Sequence, residues 1–383
     1  MFYLDNAATS HPKPETVYQA VNDALRAGGN PGRGGHRLAL AAGRRVMAAR
    51  EAVAQLFGCS DASRVLFTGS ATDGLNLALK GLLRPGDRVV TTNAEHNALR
   101  RPLAALARQG VQVTQVPVSP EGQVDLAAME AAVTPGTRLI ALAHGCNVTG
   151  AIRPVAALGR LARRTGALLL VDSAQTAGTH ALEMEALGID LLAAPGHKGL
   201  LGPQGTGILC VGPNVDLRPI REGGTGHTSA QEEQPVVFPE GFESGTVNAP
   251  GIAGLHAGIT YLLTQGIEQI RRHEEALTAQ LLDGLRRIPG VTVYGPATAA
   301  ERSAVVAFNV AGLDPAEVEE RLDEEFAVAG RAGLHCNPGA HRAMGSFALG
   351  GAMRLSPGYC STQADIEAAL QAVAAIAAGN GRD

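Results

Sequence analysis

The order of apolar segments in this chain predicts an α/β fold built on a mostly parallel sheet, and three observations carry that reading. Short apolar runs at 64–67, 88–92, 111–116, 138–143, 167–171, 190–194 and 206–211 are each of strand length. Segments of helical spacing stand between them, such as Leu75/Ala78/Leu79/Leu82 and Leu99/Leu103/Leu106. Polar clusters close five of the runs: Ser70-Ala71-Thr72, Glu95-His96-Asn97, His144-Gly145-Cys146-Asn147, Asp172-Ser173-Ala174-Gln175 and His197-Lys198. Strands that alternate with helices connect by right-handed crossovers, which cover both faces of the sheet and make it parallel. Ligands of such sheets bind beyond the carboxyl ends of the strands, so the five clusters mark the functional edge.

The elements follow in order. Val17, Ala20, Val21, Ala24 and Leu25 repeat at helical spacing and stop at Gly28-Gly29. A glycine-rich loop, Asn30-Pro31-Gly32-Arg33-Gly34-Gly35-His36, leads to a long helix holding Val46, Arg50, Val53, Ala54 and Phe57 and closed by Gly58. The strand and helix alternation then runs from Val65. Beyond Thr246-Val247-Asn248 the pattern changes to a helical block near 250–288, short apolar runs at Val291–Tyr294 and Ala304–Phe308, a helix from Pro315 and a last helix from Thr362 to about Ala377. The expected organisation is a large domain over 1–250 and a smaller α+β domain over 251–383 that carries Cys336 and Arg354, with residues 1–15 packing on the smaller domain.

The 383 residues are 45% hydrophobic, enough for a sizeable core. A net charge of −4 and the lack of any Lys/Arg-rich run exclude a polyanion-binding surface, so no nucleic-acid partner is expected. No run reaches the roughly twenty apolar residues of a membrane span. The opening Met1-Phe2-Tyr3-Leu4-Asp5 is unlike a secretory signal, and the expected location is cytoplasmic. Five cysteines without a C-x-x-C pair, Cys59, Cys146, Cys210, Cys336 and Cys360, argue against a disulfide framework and against a metal site.

Lys198 lies in Gly196-His197-Lys198-Gly199, between two apolar runs. A lone lysine on such a turn is ordinarily an exposed one. Upstream, however, Leu168-Leu169-Leu170-Val171 ends in Asp172. A glycine-flanked lysine together with an acid at another strand end suits a Schiff base with pyridoxal phosphate, whose protonated ring nitrogen needs a carboxylate. The competing nucleotide-triphosphate loop, G-x-x-x-x-G-K-[ST], occurs nowhere in the chain.

With Asp172-x-x-Gln175 and Gly196-His197-Lys198 at strand ends, the chain resembles the class V aminotransferase family of fold-type I pyridoxal-phosphate enzymes over nearly its full length. Arg331-Ala332-Gly333-Leu334-His335-Cys336 matches the R-x-G-x-H-C pattern of the SUF-type cysteine desulfurases and selenocysteine lyases within it. Tyr3-Leu4-Asp5-Asn6-Ala7-Ala8-Thr9, Asn147-Val148-Thr149-Gly150 and Gly245-Thr246-Val247-Asn248 match less specifically.

The resemblance implies the following roles. Lys198 would hold the cofactor and then move the substrate's Cα proton. Asp172 would keep the ring nitrogen protonated, Gln175 would bond the ring hydroxyl, and His96 would stack on the ring and relay protons. Ala71, Thr72 and His197 would hold the phosphate, joined by Thr246 from a partner subunit, which implies a homodimer. Asn147 would assist at the cofactor and substrate. Cys336 would take sulfur from L-cysteine as a persulfide, helped by Arg331, His335 and His341, and pass it to an acceptor protein. Arg354 would clamp the substrate carboxylate, with Arg331 also on the substrate side. Pro195 stands where the family usually has Ser or Thr, and Ala71 where it often has Thr, which removes two phosphate hydroxyls. Selenocysteine lyase activity is the near alternative. An aminotransferase, epimerase or β-eliminating lyase would not need Cys336, and a non-enzymatic scaffold would not need Lys198, Asp172 and Gln175.

Overall fold

The computed structural model describes residues 1–32, 34–226 and 229–379, so Arg33 of the glycine-rich loop lies outside the described residues. The strands are β1 (Phe2–Tyr3), β2 (Val65–Thr68), β3 (Arg88–Thr92), β4 (Gln112–Val116), β5 (Thr137–Ala143), β6 (Leu168–Asp172), β7 (Leu191–Pro195), β8 (Gly207–Val211), β9 (Val291–Tyr294), β10 (Val306–Val310), β11 (Val328–Ala329) and β12 (Met353–Leu355). The helices are α1 (Glu15–Ala27), α2 (Arg37–Phe57), α3 (Ala71–Leu82), α4 (Asn97–Ala107), α5 (Leu126–Ala132), α6 (Val155–Thr165), α7 (Met184–Leu187), α8 (Ala249–Gln265), α9 (Ile267–Arg286), α10 (Pro315–Phe326), α11 (Pro338–Ala343) and α12 (Gln363–Gly379).

A seven-stranded sheet in the order β2-β8-β7-β6-β5-β3-β4 forms the centre of the molecule. Its pairs are parallel except where β8 runs antiparallel to both β7 and β2. The connection over 196–206 contains no helix, and a parallel return needs a crossover of a dozen or more residues, so β8 turns straight back. Both faces of the sheet are covered. Val46, Val53 and Phe57 of α2 and Leu158 and Leu161 of α6 pack on one face; Leu75, Leu79 and Leu82 of α3 and Leu99, Leu103 and Leu106 of α4 pack on the other. Two-sided burial is why β7 and β8 are apolar along their whole length rather than alternating.

The helical block near 250–288 is two helices, broken at Gly266, whose φ of +84° favours glycine. Ile252, Leu255, Ile259 and Leu262 of α8 join the core on the α2 face of the large sheet, as does Ile270 of α9. From Leu277 onward α9 instead packs with α10 and α12 against the antiparallel sheet β12-β10-β9, around Phe308, Leu322 and Ile366. The N-terminal segment belongs to this second core: Leu4 is fully buried in it, and β1 pairs in parallel with β11. That pairing brings Asp5 and Asn6 to the junction between the large sheet and the smaller unit, where Asn6 N–H donates to Ser356 O.

Candidate active site

The carboxyl edge of the large sheet opens into a cavity of about 170 Å³. Ala71, Thr72, His96, Asn147, Asp172, Gln175, His197 and Lys198 all line it, brought together from the ends of β2, β3, β5, β6 and β7. The turn that carries Lys198 is shaped by close backbone approach: a Cβ on Gly196 would run into Thr206, and one on Gly199 into the carbonyl of Ala177, in the segment after β6. The Gly199 contact sets the lysine turn against the segment that follows Asp172, and the Gly196 contact closes the β7–β8 connection on itself.

Asp172 is buried, and its Oδ1 accepts the Ala174 N–H at 2.9 Å. Burial lifts its pKa to about 6, against the opposing pull of the Ala174 N–H and of Lys198. Burial likewise lowers Lys198 to about 8; the Arg354 guanidinium lowers it further, while Asp172 and Asp5 pull it back up. Lys198 therefore carries an appreciable neutral fraction near neutral pH. His96 caps α4, its Nδ1 accepting the Ala98 N–H at 3.0 Å, so the proton of the neutral ring sits on Nε2. Burial first, then Lys198, Arg101 and Arg354, lower its pKa to about 4 and keep it neutral. Gln175 is anchored by donating from Nε2 to Ala7 O at 3.1 Å.

One end of the cavity is made for an anion. Ser70 Oγ accepts the Asp73 N–H at 3.1 Å, while the first-turn N–H groups of Ala71 and Thr72 lie before any intrahelical partner. His197 Nδ1 is buried without a hydrogen-bond partner. Thr246 is exposed and lies outside this cavity.

Arg354 is 3% exposed on β12. It donates from Nη1 to Asn147 O at 3.1 Å and from Nη2 to Asp5 Oδ1 at 2.9 Å, and its Nε is buried without a partner. The other oxygen of Asp5 takes Arg331, from Nε at 3.0 Å and Nη2 at 2.9 Å. Both arginines are thus already held by one carboxylate, a charge-assisted arrangement that fixes the planes of their guanidinium groups.

Cys336 is exposed, in a loop at the cavity mouth. It and His335 both have left-handed backbones, φ +56° and +49°, which cost non-glycine residues energy and persist only where neighbours enforce them. Here the neighbours are Asn97, at the start of α4, and Asn147 of the cavity: Asn97 N–H donates to Cys336 O at 2.8 Å, and Asn147 Nδ2 to His335 O at 2.6 Å. The Asn147 side chain therefore grips the Cys336 loop, while its backbone carbonyl serves Arg354. Asn337, 1% exposed, completes the clamp, with Nδ2 3.1 Å from both Ala94 O and Asn147 Oδ1, and Oδ1 capping α11. His335 Nε2 lies 3.1 Å from Arg331 O and so donates to it; its Nδ1 must then accept from His341 Nε2 at 3.3 Å, and His341 Nδ1 accepts from Ser346 Oγ at 2.7 Å. Cys146 and Cys210 are buried, Cys59 half-buried and Cys360 exposed; of the four, Cys146 lines the cavity.

Asp5 and Asn337 are the site residues that motif reading passes over. Asp5 sat inside a soft motif with nothing to tie it to an arginine hundreds of residues away. Asn337 did carry a local sign, an Asn-Pro pair at a helix start.

The aminotransferase class-V family model matches residues 2–369. A protein named probable cysteine desulfurase from Methanothermobacter thermautotrophicus is 36% identical over 95% of this chain and 92% of its own length. One named cysteine desulfurase from Klebsiella pneumoniae subsp. pneumoniae is 34% identical, covering 88% of this chain and 84% of its own length. Among solved structures, the apo cysteine desulfurase of Thermococcus onnurineus NA1 superposes with a TM-score of 0.91 at 32% identity, over 99% of this chain and 95% of that one. The cysteine desulfurase CsdA of Escherichia coli, in an S-sulfonic acid form, gives 0.84 at 29% identity, over 97% and 93%.

Proposed function

The chain belongs to the aminotransferase class-V family, and on that premise we propose that it is a pyridoxal-phosphate-dependent cysteine desulfurase, releasing L-alanine from L-cysteine and carrying the sulfur on Cys336. The observation that carries this reading is the pairing of a depressed-pKa lysine beside Asp172 in the cavity with an exposed cysteine clamped at its mouth.

The residues fit the cofactor. The unpartnered His197 Nδ1 and the α3 amides of Ala71 and Thr72 offer donors to a phosphate, and Asp172 offers a carboxylate to a ring nitrogen. A protonated ring nitrogen would draw Asp172 to its ionised form against the burial that lifts it. When bound, pyridoxal phosphate provides the electron sink for bond breaking at the substrate's α- and β-carbons. The protein's own groups do the rest. Lys198 would hold the cofactor and, as a neutral amine, would take the Cα proton. Neutral His96 would cover one face of the bound ring, and Gln175, fixed on Ala7 O, would offer its remaining amide groups to the ring hydroxyl.

Arg354, oriented by Asp5 and Asn147, receives the substrate carboxylate, for which its unpaired Nε–H is a free donor. The Cys336 thiolate attacks the substrate sulfur: an S–S bond forms as the C–S bond breaks, the β-carbon keeps the bonding pair and gains a proton, and alanine and a persulfide result. The exposed position of Cys336 gives a sulfur acceptor access to that persulfide. Thr246, exposed and away from its own cavity, supports a homodimer in which it completes the neighbour's phosphate site. Incubation with L-cysteine, followed by assays for alanine and sulfide, tests the reading: alanine should appear, and its absence from pyridoxal-phosphate-loaded protein rejects the proposal. Sizing with light scattering tests the dimer, and a fully active monomer would reject it.

A further inference from the structure

Three residues outside the main cavity, Thr9, Ser10 and Lys13, meet the backbone of the turn that carries Lys198, and the reaction as derived above uses none of them. His197 O is approached by the Ser10 N–H at 3.1 Å, Thr9 Oγ1 at 3.1 Å, Ser10 Oγ at 3.2 Å and Lys13 Nζ at 2.7 Å. A carbonyl oxygen has two lone pairs, so this one is crowded with donors. Ser10 Oγ also lies 2.9 Å from Lys198 O and 2.7 Å from Lys13 Nζ, so its one hydrogen goes to Lys198 O and its lone pair takes the ammonium. Of the donors left to His197 O, Lys13 is the shortest and the only charged one. Lys13 thus holds two successive carbonyls, His197 O directly and Lys198 O through the buried Ser10 hydroxyl. Among the described residues no carboxylate pairs with its ammonium. The turn itself is strained: Leu201 has a left-handed backbone at φ +60°, which persists only where its surroundings enforce it. Lys13 is placed independently of its ammonium, since its own N–H donates to Tyr18 OH at 3.0 Å and Tyr359 OH donates to Pro12 O at 3.0 Å.

We propose that Lys13 and Ser10 are positioning residues of the cofactor site: by holding the peptide between His197 and Lys198, they set where the phosphate contact on one side of that peptide and the lysine amine on the other reach the cofactor together. The same N-terminal segment holds Gln175 through Ala7 O and Arg354 through Asp5, so one stretch of chain places groups for the phosphate, the ring and the substrate carboxylate. The inference rests on Lys198 holding pyridoxal phosphate, and its first test needs no cofactor.

Lys13→Met keeps the alkyl stem and removes the donor. In the unloaded protein, the backbone amides of residues 196–202 should then exchange with deuterated solvent on the order of tenfold faster, while those of β5 and β6 keep their rates. Unchanged exchange over 196–202 overturns the proposal. In the loaded protein, the dissociation constant for pyridoxal phosphate, read from the visible absorption band, should rise roughly ten- to a hundredfold, the effect of losing one hydrogen bond from a charged group. Lys13→Arg, which keeps a charged donor, should recover part of that affinity. A purely structural Lys13 would lower the melting temperature and leave the dissociation constant alone, and that result overturns the positioning role. Ser10→Ala cuts only the branch to Lys198 O and should shift both readouts in the same direction by less. It carries the test if Lys13→Met folds poorly, and no shift in either readout overturns the proposal. A protein whose exchange responds to Lys13→Met, but whose wild type takes up no borohydride-reducible pyridoxal phosphate, rejects the desulfurase reading and leaves the hold on the Lys198 turn standing.

Discussion

Lys198 stands on the turn between two wholly buried strands, with Asp172, Gln175 and His197 lining the same cavity, whereas Cys336 stands on an exposed loop whose backbone is bent into a left-handed pair. The contrast follows from what each atom has to do. An amine becomes a base near neutral pH only if burial and nearby cations disfavour its ammonium form, so it belongs where water is scarce. A thiol that receives sulfur inside and gives it up outside must reach both, so it belongs on a loop held by a few strong contacts. Asn97, Asn147 and Asn337 supply those contacts and join the two regions.

The sharpest way to break the comparison is to remove its deep half. Lys198→Ala should leave no borohydride-reducible chromophore after dialysis and lower turnover by at least the roughly 10²–10⁴-fold due to a general base; a retained chromophore would place the attachment elsewhere. Removing the exposed half should be selective. Cys336→Ala should abolish alanine release from L-cysteine while sparing much of the activity on L-selenocysteine, whose weaker C–Se bond breaks by elimination without a protein thiol. Mass spectrometry of the wild type after L-cysteine should find one added sulfur on the Cys336 peptide, and finding it on Cys146 or Cys360 would defeat that assignment.

Between the halves lies the Asp5-held Arg354. Arg354→Lys keeps the charge but loses the planar fork, and the loss of one charge-assisted bond, about 1.5–3 kcal/mol, should raise KM for L-cysteine by roughly ten- to a hundredfold with a smaller change in kcat. An unchanged KM would mean that the carboxylate binds elsewhere.

A pH scan of the unloaded protein asks whether the two regions share a weakness. His96 and His197 at the cavity, and His341 behind the loop, are all lowered by burial to about 4. Over pH 4 to 6.5 the folded state binds fewer protons than the unfolded one, so their contribution to stability is present above 6.5 and is lost as pH falls toward 4. Each adds up to about 1.4 kcal/mol per pH unit inside that window. Denaturant midpoints that stay flat from pH 6.5 to 4 would contradict this. The smallest expected effect is Asn337→Ala, which loses a helix cap and leaves Asn147 Oδ1 without its donor, while Ala94 O keeps Arg153 Nη2, a cost of about 1–3 kcal/mol. It should lower Tm modestly and loosen the Cys336 loop, read as faster alkylation of that thiol; an unchanged alkylation rate would show that the clamp does not restrain it.

The sequence by itself determined the strand ends, and with them most of the cavity. Apolar runs end where the chain leaves the two-sided core, so the polar residues just beyond, from Thr72 through Lys198, had to gather at one edge of the sheet. The motif around Cys336 was legible for the same local reason. Tertiary structure alone decided the partners. Asp5 meets Arg354 across 349 residues and Arg331 across 326, and β8 runs against its neighbours because its connection is short. Periodicity records which face of an element is buried, since burial repeats with the helix or strand period. It carries no record of which distant residue will lie opposite, because that depends on how whole elements pack.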